Sequence, residues 1–342
     1  MHRVVPFLIA LLVLASCGSS SDSAQSDGST TSAAETAPST VATPSTTAAD
    51  GTTTTPPTST EAPTSTAVAT TTTSTPACGT GGDLTLPSQN RTLTTSNGVE
   101  RTWLLALPTG YEHGTPAPVV FNLHGAGSNG AEQYVYGNYI AQAEAEGAML
   151  VMPEALEVNG RPAWNPGEIG SGEDLDFVAE LIDVIRSEYC TSSFFATGMS
   201  SGGFMTSALA CWADGPFEGF GPVTLAFYAP DECGDAPSQP FMYFHGTADD
   251  TVPFEGNDPG LDAAPVTAQE WADHNGCDPE PVEERVSDEV VHFTWEGCSA
   301  TTEFYVVEEG GHTWPGALAI ESFGHTTDDI SASDLIWDMF FG

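Results

Sequence analysis

The residues best suited to covalent chemistry begin with a serine in a short glycine-flanked motif. Ser200 is the centre of Gly198-Met199-Ser200-Ser201-Gly202, a G-x-S-x-G sequence that follows an apolar run and precedes a helix-like one. A strand, a sharp turn and a helix in that order lift the serine hydroxyl above the edge of a sheet. Ser201 is the rival nucleophile, but only Ser200 occupies the central position of the motif. The sequence therefore predicts Ser200 as a nucleophile.

A base and an acid for this serine occur later in the chain. A serine hydroxyl needs a base to become nucleophilic, and the base needs an acid that fixes its tautomer. Asp249 follows His245-Gly246 in a loop after one apolar run, and His312 lies in a glycine-rich loop after the next strong apolar run. Asp250 is the alternative acid, and the offset from His245-Gly246 favours Asp249. The order Ser, Asp, His is that of α/β-hydrolases, which predicts acyl transfer.

The loop Gly125-Ala126-Gly127-Ser128-Asn129-Gly130 has two interpretations. It matches the dinucleotide fingerprint G-x-G-x-x-G, and Glu154 lies near the expected position of a ribose-binding acid, so an NAD-type oxidoreductase is the competing enzyme class. However, His124 directly precedes the loop, and a His-Gly-x-Gly sequence after a strand also begins the oxyanion loop of hydrolases. We favour the hydrolase interpretation and expect the backbone N–H groups of Ala126 and Ser201 to stabilise an oxyanion.

Other polar and aromatic residues near these motifs have weaker assignments. Trp164 and Trp314 lie in loops and are candidates to line a substrate pocket, with core packing as the alternative for each. Asp174 and Asp176 could be taken for a carboxylate pair, but they lie at a predicted helix start, where acids interact favourably with the helix dipole. The remaining histidines that we assign to structural or surface positions are His124, His245, His274, His292 and His325.

The elements that must position these residues alternate between strands and helices. The pattern predicts strands in residues 119–123, 148–152, 193–197, 223–228, 241–244 and 302–307. It predicts helices in residues 131–146, 174–189 and 201–212. Before them, residues 91–96 and 99–107 flank Asn97-Gly98 and predict a hairpin. This alternation is typical of the α/β class, with a mostly parallel sheet, helices on both faces, and ligands beyond the carboxyl ends of the strands.

The N-terminal part is typical of a targeting segment followed by a tether. Residues 4–15 are apolar but too short to span a bilayer, and they lead into Ser16-Cys17. This ending resembles a bacterial lipobox, whose cysteine is lipidated, while an ordinary signal peptide is the alternative. Residues 18–77 contain too little apolar surface to fold. We therefore expect a lipoprotein signal peptide at 1–17, a disordered linker at 18–77, and one catalytic domain at 78–342, anchored outside the cell membrane or secreted.

The cysteines of residues 78–342 predict disulfides. Their even number in an exported chain favours disulfides over metal ligation, because no pair has the close spacing of a zinc site. We expect a Cys277–Cys298 disulfide first and a Cys211–Cys233 disulfide next, and Cys78 and Cys190 are the remaining candidates.

The charge balance excludes several classes of function. The 342 residues contain 6 Lys+Arg and 47 Asp+Glu, a net charge of −41. Such a chain repels polyanions, so we expect no nucleic-acid partner. All the basic residues are arginine, which excludes a P-loop lysine or a lysine Schiff base. We expect no metal and no cofactor, and membrane contact only through a lipid on Cys17; the sequence does not predict an oligomeric state.

Four segments together resemble the polyhydroxybutyrate depolymerase and feruloyl or acetyl-xylan esterase group. The segments are Leu123-His124-Gly125, Thr197 to Gly203, His245 to Pro253, and Gly311 to Gly316, and the resemblance covers residues 78–342. It implies an α/β-hydrolase fold and a cofactor-free serine esterase acting on a polysaccharide-linked ester or a polyester. The same resemblance implies Ser200, Asp249 and His312 as nucleophile, acid and base. A catalytically inactive surface-binding protein of this fold is the non-enzyme alternative.

Overall fold

The computed structural model describes residues 78–85, 88–167, 172–224, 233–257 and 261–342. The predicted signal peptide, Cys17 and the predicted linker lie outside these residues. No helix within these ranges has both the length and the apolar character needed to cross a membrane.

A single sheet of ten strands organises the described part of the chain. The strands of the whole described region are, in chain order, β1 (Ser88–Thr94), β2 (Glu100–Ala106), β3 (Ala117–Leu123), β4 (Met149–Pro153), β5 (Glu157–Val158), β6 (Arg161–Pro162), β7 (Thr191–Met199), β8 (Phe217–Val223), β9 (Phe241–Gly246), β10 (Val282–Arg285), β11 (Val290–Thr294) and β12 (Thr302–Val307). The sheet has the order β1-β2-β4-β3-β7-β8-β9-β12-β11-β10, and β5 pairs separately with β6. The strands from β4 to β12 in this order are parallel, and an antiparallel pair extends each edge.

Helices cover both faces of the sheet. They are α1 (Gly130–Tyr136), α2 (Ile140–Glu146), α3 (Glu173–Glu188), α4 (Ser201–Ala210), α5 (Ala264–His274) and α6 (Ala332–Phe341). Buried residues of α3, α4 and α5 join one core cluster, and buried residues of α2 and α6 join a second. Strand β3 separates the clusters, because Val119 and Phe121 belong to the first and Val120 to the second. The predicted α/β-hydrolase class, with a mostly parallel sheet and helices on both faces, is confirmed.

Two predicted elements differ in the structure. The helix predicted at 131–146 is two helices, because α1 ends at Tyr136 with Gly137 as its C-cap, and Asn138 has a left-handed backbone with φ of 48°. The strand predicted at 223–228 is β8, which ends at Val223. Its sequence signal is weak because β8 contains two glycines and a proline. Residues 225–232 lie outside the described part of the chain.

Three disulfides link elements of the described region. Cys277 pairs with Cys298, and Cys211 pairs with Cys233, as expected from the sequence. Cys78 pairs with Cys190, the residue that directly precedes β7. The last disulfide therefore attaches the beginning of the described region to the centre of the sheet.

Candidate active site

The residues predicted to do chemistry follow parallel strands of the sheet. The loops after β3, β7, β9 and β12 carry Ala126, Ser200, Asp249 and His312, respectively. Because these strands are parallel, their carboxyl ends lie at one edge of the sheet. The topology therefore places all four loops at one edge.

Ser200 occupies a sharp turn between β7 and α4. Its backbone has φ of 55° and ψ of −120°, a conformation that costs a non-glycine residue about 1–3 kcal/mol. The Ser200 N–H donates to the Val223 carbonyl at 2.9 Å and to Thr224 Oγ1 at 3.2 Å, which holds the turn. Gly202 is required beside it, because a Cβ there would lie 2.1 Å from the Leu123 carbonyl oxygen. This geometry is that of a nucleophile elbow.

Asp249 and His312 form a buried hydrogen-bonded pair. His312 Nδ1 and Asp249 Oδ2 are 2.7 Å apart, and the two residues are 6% and 4% exposed. The other carboxylate oxygen, Oδ1, accepts the backbone N–H groups of Thr251 at 2.9 Å and Val252 at 2.8 Å. Asp250 is exposed. Of the two aspartates considered from the sequence, Asp249 is the one that contacts the imidazole.

The loops that carry Asp249 and His312 are hydrogen-bonded to each other. The Thr247 N–H donates to the Val307 carbonyl at 2.9 Å, and the Ala248 N–H donates to the Gly310 carbonyl at 2.8 Å. The Glu309 N–H donates to Thr247 Oγ1 at 2.8 Å. Because β9 and β12 are also paired, the separation of the carboxylate and the imidazole is fixed by backbone contacts.

A segment later in the chain supports the histidine from its other side. The His312 N–H donates to the Phe323 carbonyl at 2.7 Å, and the Gly311 N–H donates to the His325 carbonyl at 2.9 Å. Gly311 permits this approach, because a Cβ there would lie 2.1 Å from the Phe323 carbonyl oxygen. The glycine before the histidine is therefore required by backbone packing.

His245, assigned to a structural role from the sequence, lies beside the Asp249 carboxylate. Its Nε2 is 2.9 Å from the Val252 carbonyl oxygen and 3.5 Å from Asp249 Oδ2, and its Nδ1 contacts the Tyr243 hydroxyl. Burial lowers the pKa of His245, so the imidazole is neutral. A hydrogen on Nε2 satisfies the Val252 carbonyl and faces the carboxylate. The spacing of four residues between His245 and Asp249 was the only sequence signal for this contact.

The loop after β3 is held next to Ser200 by His124. Burial lowers the pKa of His124, whose Nε2 accepts the Ala155 N–H at 3.0 Å and whose Nδ1 donates to the Gly125 carbonyl at 2.8 Å. A Cβ on Gly125 would lie 3.5 Å from Ser200 Cβ, which shows how close this loop comes to the elbow. Neither the Ala126 nor the Ser201 backbone N–H donates a hydrogen bond to another group within the described ranges.

The two candidate pocket tryptophans are buried. Trp164 is 4% exposed, and its indole N–H donates to the His124 carbonyl at 2.9 Å while its backbone N–H donates to Ser201 Oγ at 2.9 Å. Trp314 is fully buried, and its indole N–H donates to Ser333 Oγ at 3.0 Å. This burial argues against substrate contact by either side chain and favours the core-packing alternative. Trp164 instead joins the loops of the predicted oxyanion donors.

Asp174 lies in the first turn of α3, as predicted, and it also forms a buried ion pair. Its Oδ1 accepts from Arg101 Nη2 at 2.6 Å, in an ion pair whose side chains are 4% and 1% exposed. Its Oδ2 accepts the Asn165 N–H at 2.6 Å. Asp174 therefore joins β2, α3 and the segment that carries Trp164, whereas Asp176 is exposed.

The groups that a dinucleotide would need are used internally. Glu154 Oε1 accepts the Gly130 N–H at 2.9 Å, and the Gly127 N–H donates to the Pro162 carbonyl at 2.7 Å. Helix α1, which would receive the pyrophosphate, has 7 residues. The structure thus contradicts the oxidoreductase alternative for this loop. In the described part of the chain, no group of three or more His, Cys, Asp or Glu residues is arranged to hold a metal ion.

Several named proteins are similar to this chain. A probable feruloyl esterase C of Aspergillus oryzae is 32% identical over 232 residues, which span 63% of this chain and 79% of the relative. A probable feruloyl esterase C of Aspergillus niger is 28% identical over 269 residues, or 74% of this chain and 90% of the relative. The solved acetyl xylan esterase from Aspergillus awamori shares the fold, with a TM-score of 0.52 and 18% identity over 66% of this chain and 94% of that one. No protein-family model matches.

Proposed function

We propose that this chain, which belongs to the feruloyl esterase C family of carboxylic ester hydrolases, hydrolyses feruloyl esters. Ser200, His312 and Asp249 form the catalytic triad of this proposed reaction. The observation that carries this assignment is the buried hydrogen bond of 2.7 Å between His312 Nδ1 and Asp249 Oδ2. The elbow conformation of Ser200 supports it. The substrate class rests on the names of the relatives.

The first half of the reaction forms an acyl-enzyme. Because Asp249 accepts the hydrogen of His312 Nδ1, Nε2 is free to take the proton of the Ser200 hydroxyl. Ser200 Oγ then attacks the ester carbonyl carbon, and the backbone N–H groups of Ala126 and Ser201 stabilise the oxyanion. The tetrahedral intermediate collapses, the bond to the alcohol oxygen breaks, and His312 returns the proton to the departing alcohol.

The second half releases the acid. His312 takes a proton from water, the resulting hydroxide attacks the acyl carbon, and the bond to Ser200 Oγ breaks as that oxygen regains a proton. In each half His312 becomes positively charged beside Asp249. A neutral His245 does not compete for this carboxylate, so the negative charge of Asp249 stabilises the His312 imidazolium.

Hydrolysis of methyl ferulate and p-nitrophenyl acetate by single variants tests this proposal. Ser200→Ala should lower kcat/KM by about 10⁶-fold for both esters. Asp249→Asn should lower it by about 10⁴-fold, because the amide NH2 would donate to His312 Nδ1 and favour the wrong tautomer of the imidazole. Asp250→Asn is the matched control and should retain the wild-type rates. Equal rates for wild type and Ser200→Ala would refute the nucleophile assignment.

The alternative esters require a direct comparison on polymers. Release of ferulate from feruloylated arabinoxylan should exceed release of acetate from acetyl-xylan and of hydroxybutyrate from polyhydroxybutyrate. The opposite order would assign the acetyl or polyester substrate while leaving the triad unaffected.

Export with a lipid on Cys17 completes the proposed function. Three disulfides support an oxidising compartment outside the cytosol. In a bacterial host, the full chain should fractionate with membranes, and Cys17→Ser should move the esterase activity to the soluble fraction. An unchanged distribution of activity would favour the ordinary signal peptide instead.

A further inference from the structure

Phe323 is an exposed aromatic residue in contact with the proposed base. Its side chain is 39% exposed, whereas His312 is 6% exposed. The two ring centroids are 6.2 Å apart, and the ring planes are nearly perpendicular, at 88°. Part of the phenyl ring therefore meets the imidazole while the rest faces solvent at the catalytic edge.

The backbone fixes the place of Phe323 relative to the imidazole. Its carbonyl accepts the His312 N–H at 2.7 Å, so the two residues are joined by main chain as well as by their rings. Phe323 ends a short 3-10 helix, Glu321–Phe323, and its own N–H donates to the Ile320 carbonyl at 2.9 Å. The ring is thus attached to a hydrogen-bonded turn.

The two tryptophans that the sequence offers as candidates to line the pocket do not present an accessible ring. Both are at most 4% exposed, and both indole N–H groups already donate within the protein. A phenyl group beside the base offers a feruloyl ring what these side chains do not, an accessible aromatic surface. Aromatic rings prefer offset or edge-to-face pairs with centroids about 4.5–7 Å apart, a geometry that an exposed ring edge permits.

We propose that Phe323 forms a wall of the acyl pocket and packs against the aromatic ring of a hydroxycinnamoyl group. The inference rests on the proposed function, because the acyl carbon must reach Ser200 Oγ while His312 accepts the proton of the Ser200 hydroxyl. Phe323 is then a specificity-determining residue, since it contacts the aromatic acyl group and has no partner in a short aliphatic acyl group.

Two esters of the same alcohol separate this role from support of His312. Phe323→Ala should lower kcat/KM for methyl ferulate by roughly tenfold, mainly through a higher KM, because an aromatic contact is lost. The same variant should keep kcat/KM for methyl propionate within about twofold of wild type. Phe323→Tyr should restore the preference for ferulate. Leu318→Ala, which removes a side chain that is 77% exposed in the same segment, is the control and should change neither rate.

Several outcomes would overturn the inference. An equal loss for both esters would show that Phe323 only supports His312, and unchanged kinetics would show that it contacts no substrate. If Phe323→Ala lowered kcat/KM only for α-naphthyl acetate, an ester whose aromatic ring is in the alcohol, the Phe323 ring would contact the alcohol part of the substrate instead. Hydrolysis of methyl propionate that depends on Ser200, without hydrolysis of methyl ferulate, would overturn the aromatic acyl pocket and leave the serine esterase intact. If neither ester required Ser200, the proposed triad itself would fail.

Discussion

Hydrogen-bond donors around both oxygens hold the Asp249 carboxylate in one orientation. One oxygen accepts two backbone N–H groups, and the other lies 2.7 Å from His312 Nδ1 and 3.5 Å from His245 Nε2. Both histidines approach the second oxygen, but His245 also reaches the Val252 carbonyl. Because burial keeps His245 neutral, it adds an N–H near the carboxylate without adding a charge.

The neutral state of His245 predicts a pH dependence of stability. Its pKa is lowered by burial in the folded chain, whereas an unfolded histidine has a pKa of about 6.5. As the pH falls below that value, the unfolded chain binds a proton that the folded chain does not, so the free energy of unfolding falls. His245→Gln should reduce the slope of this free energy against pH by up to about 1.4 kcal/mol per pH unit as the pH falls below about 6.5.

Denaturant titrations at several pH values measure this slope. The matched control is His113→Gln, because His113 is exposed. The control should keep the wild-type slope. If His245→Gln also kept it, the folded protein would bind a proton at His245, and the neutral imidazole beside Asp249 would be wrong.

The sequence predicts those site residues that local patterns mark, and it does not predict those whose role depends on contacts distant in the chain. The offset of Asp249 from His245 and the G-x-S-x-G spacing of Ser200 are local patterns, so they are readable without a structure. The burial of Trp314 is not local, because it depends on its contacts with Tyr139 and Ser333. Phe323 could not be predicted from the sequence, because a backbone turn brings it back to His312 and no sequence motif marks this contact.

Among the elements, the position of the loop after β6 depends on a buried ion pair. Asp174, in the first turn of α3, accepts from Arg101 of β2 and from the Asn165 N–H. Trp164, which directly precedes Asn165, contacts both His124 and Ser201. The ion pair therefore supports, through Trp164, the two loops that carry the proposed oxyanion donors.

Removal of the aspartate should destabilise the fold strongly. Asp174→Ala leaves the Arg101 charge buried without its carboxylate, and such a loss costs about 3–5 kcal/mol. Asp176→Ala, in the same helical turn but exposed, should cost no more than about 1 kcal/mol. Chemical denaturation of the two variants measures the difference. Similar costs for both would contradict the importance of the buried pair.

The order of the elements was easier to predict than their limits. Alternating apolar runs predict the parallel sheet, because strands buried on both faces are continuously apolar. The pattern does not show where α1 ends, since Gly137 and Asn138 interrupt a sequence that otherwise has helical spacing. It also missed the β10–β11 hairpin, whose first strand is exposed throughout and therefore carries no apolar signal.

The whole molecule carries a large excess of negative charge. The net charge of −41 covers the full chain of 342 residues. Carboxylates that repel one another destabilise a compact state, and salt screens this repulsion over a Debye length of about 10 Å at 0.1 M. Disulfides and two core clusters oppose this repulsion.

Screening predicts that salt stabilises the protein. The Tm should rise as NaCl increases from about 0.01 to 0.5 M, because the Debye length shortens from about 30 Å to a few ångströms. Choline chloride at the same ionic strength should give a similar rise, which would separate screening from binding of sodium. A Tm that falls in both salts would show that attractive ion pairs, such as Arg91 with Glu188, outweigh the repulsion.

The most direct test of the central claim is the site at which the protein reacts with a fluorophosphonate, which traps the activated serine of a hydrolase. Digestion should use a protease that cuts at acidic residues, because the chain has 6 Lys+Arg and 47 Asp+Glu. Fragment mass spectrometry can then distinguish Ser200 from its neighbour Ser201. We predict one adduct, on Ser200, and its loss in His312→Ala. An adduct on Ser201, or an adduct on Ser200 that forms equally well without His312, would contradict the proposed mechanism.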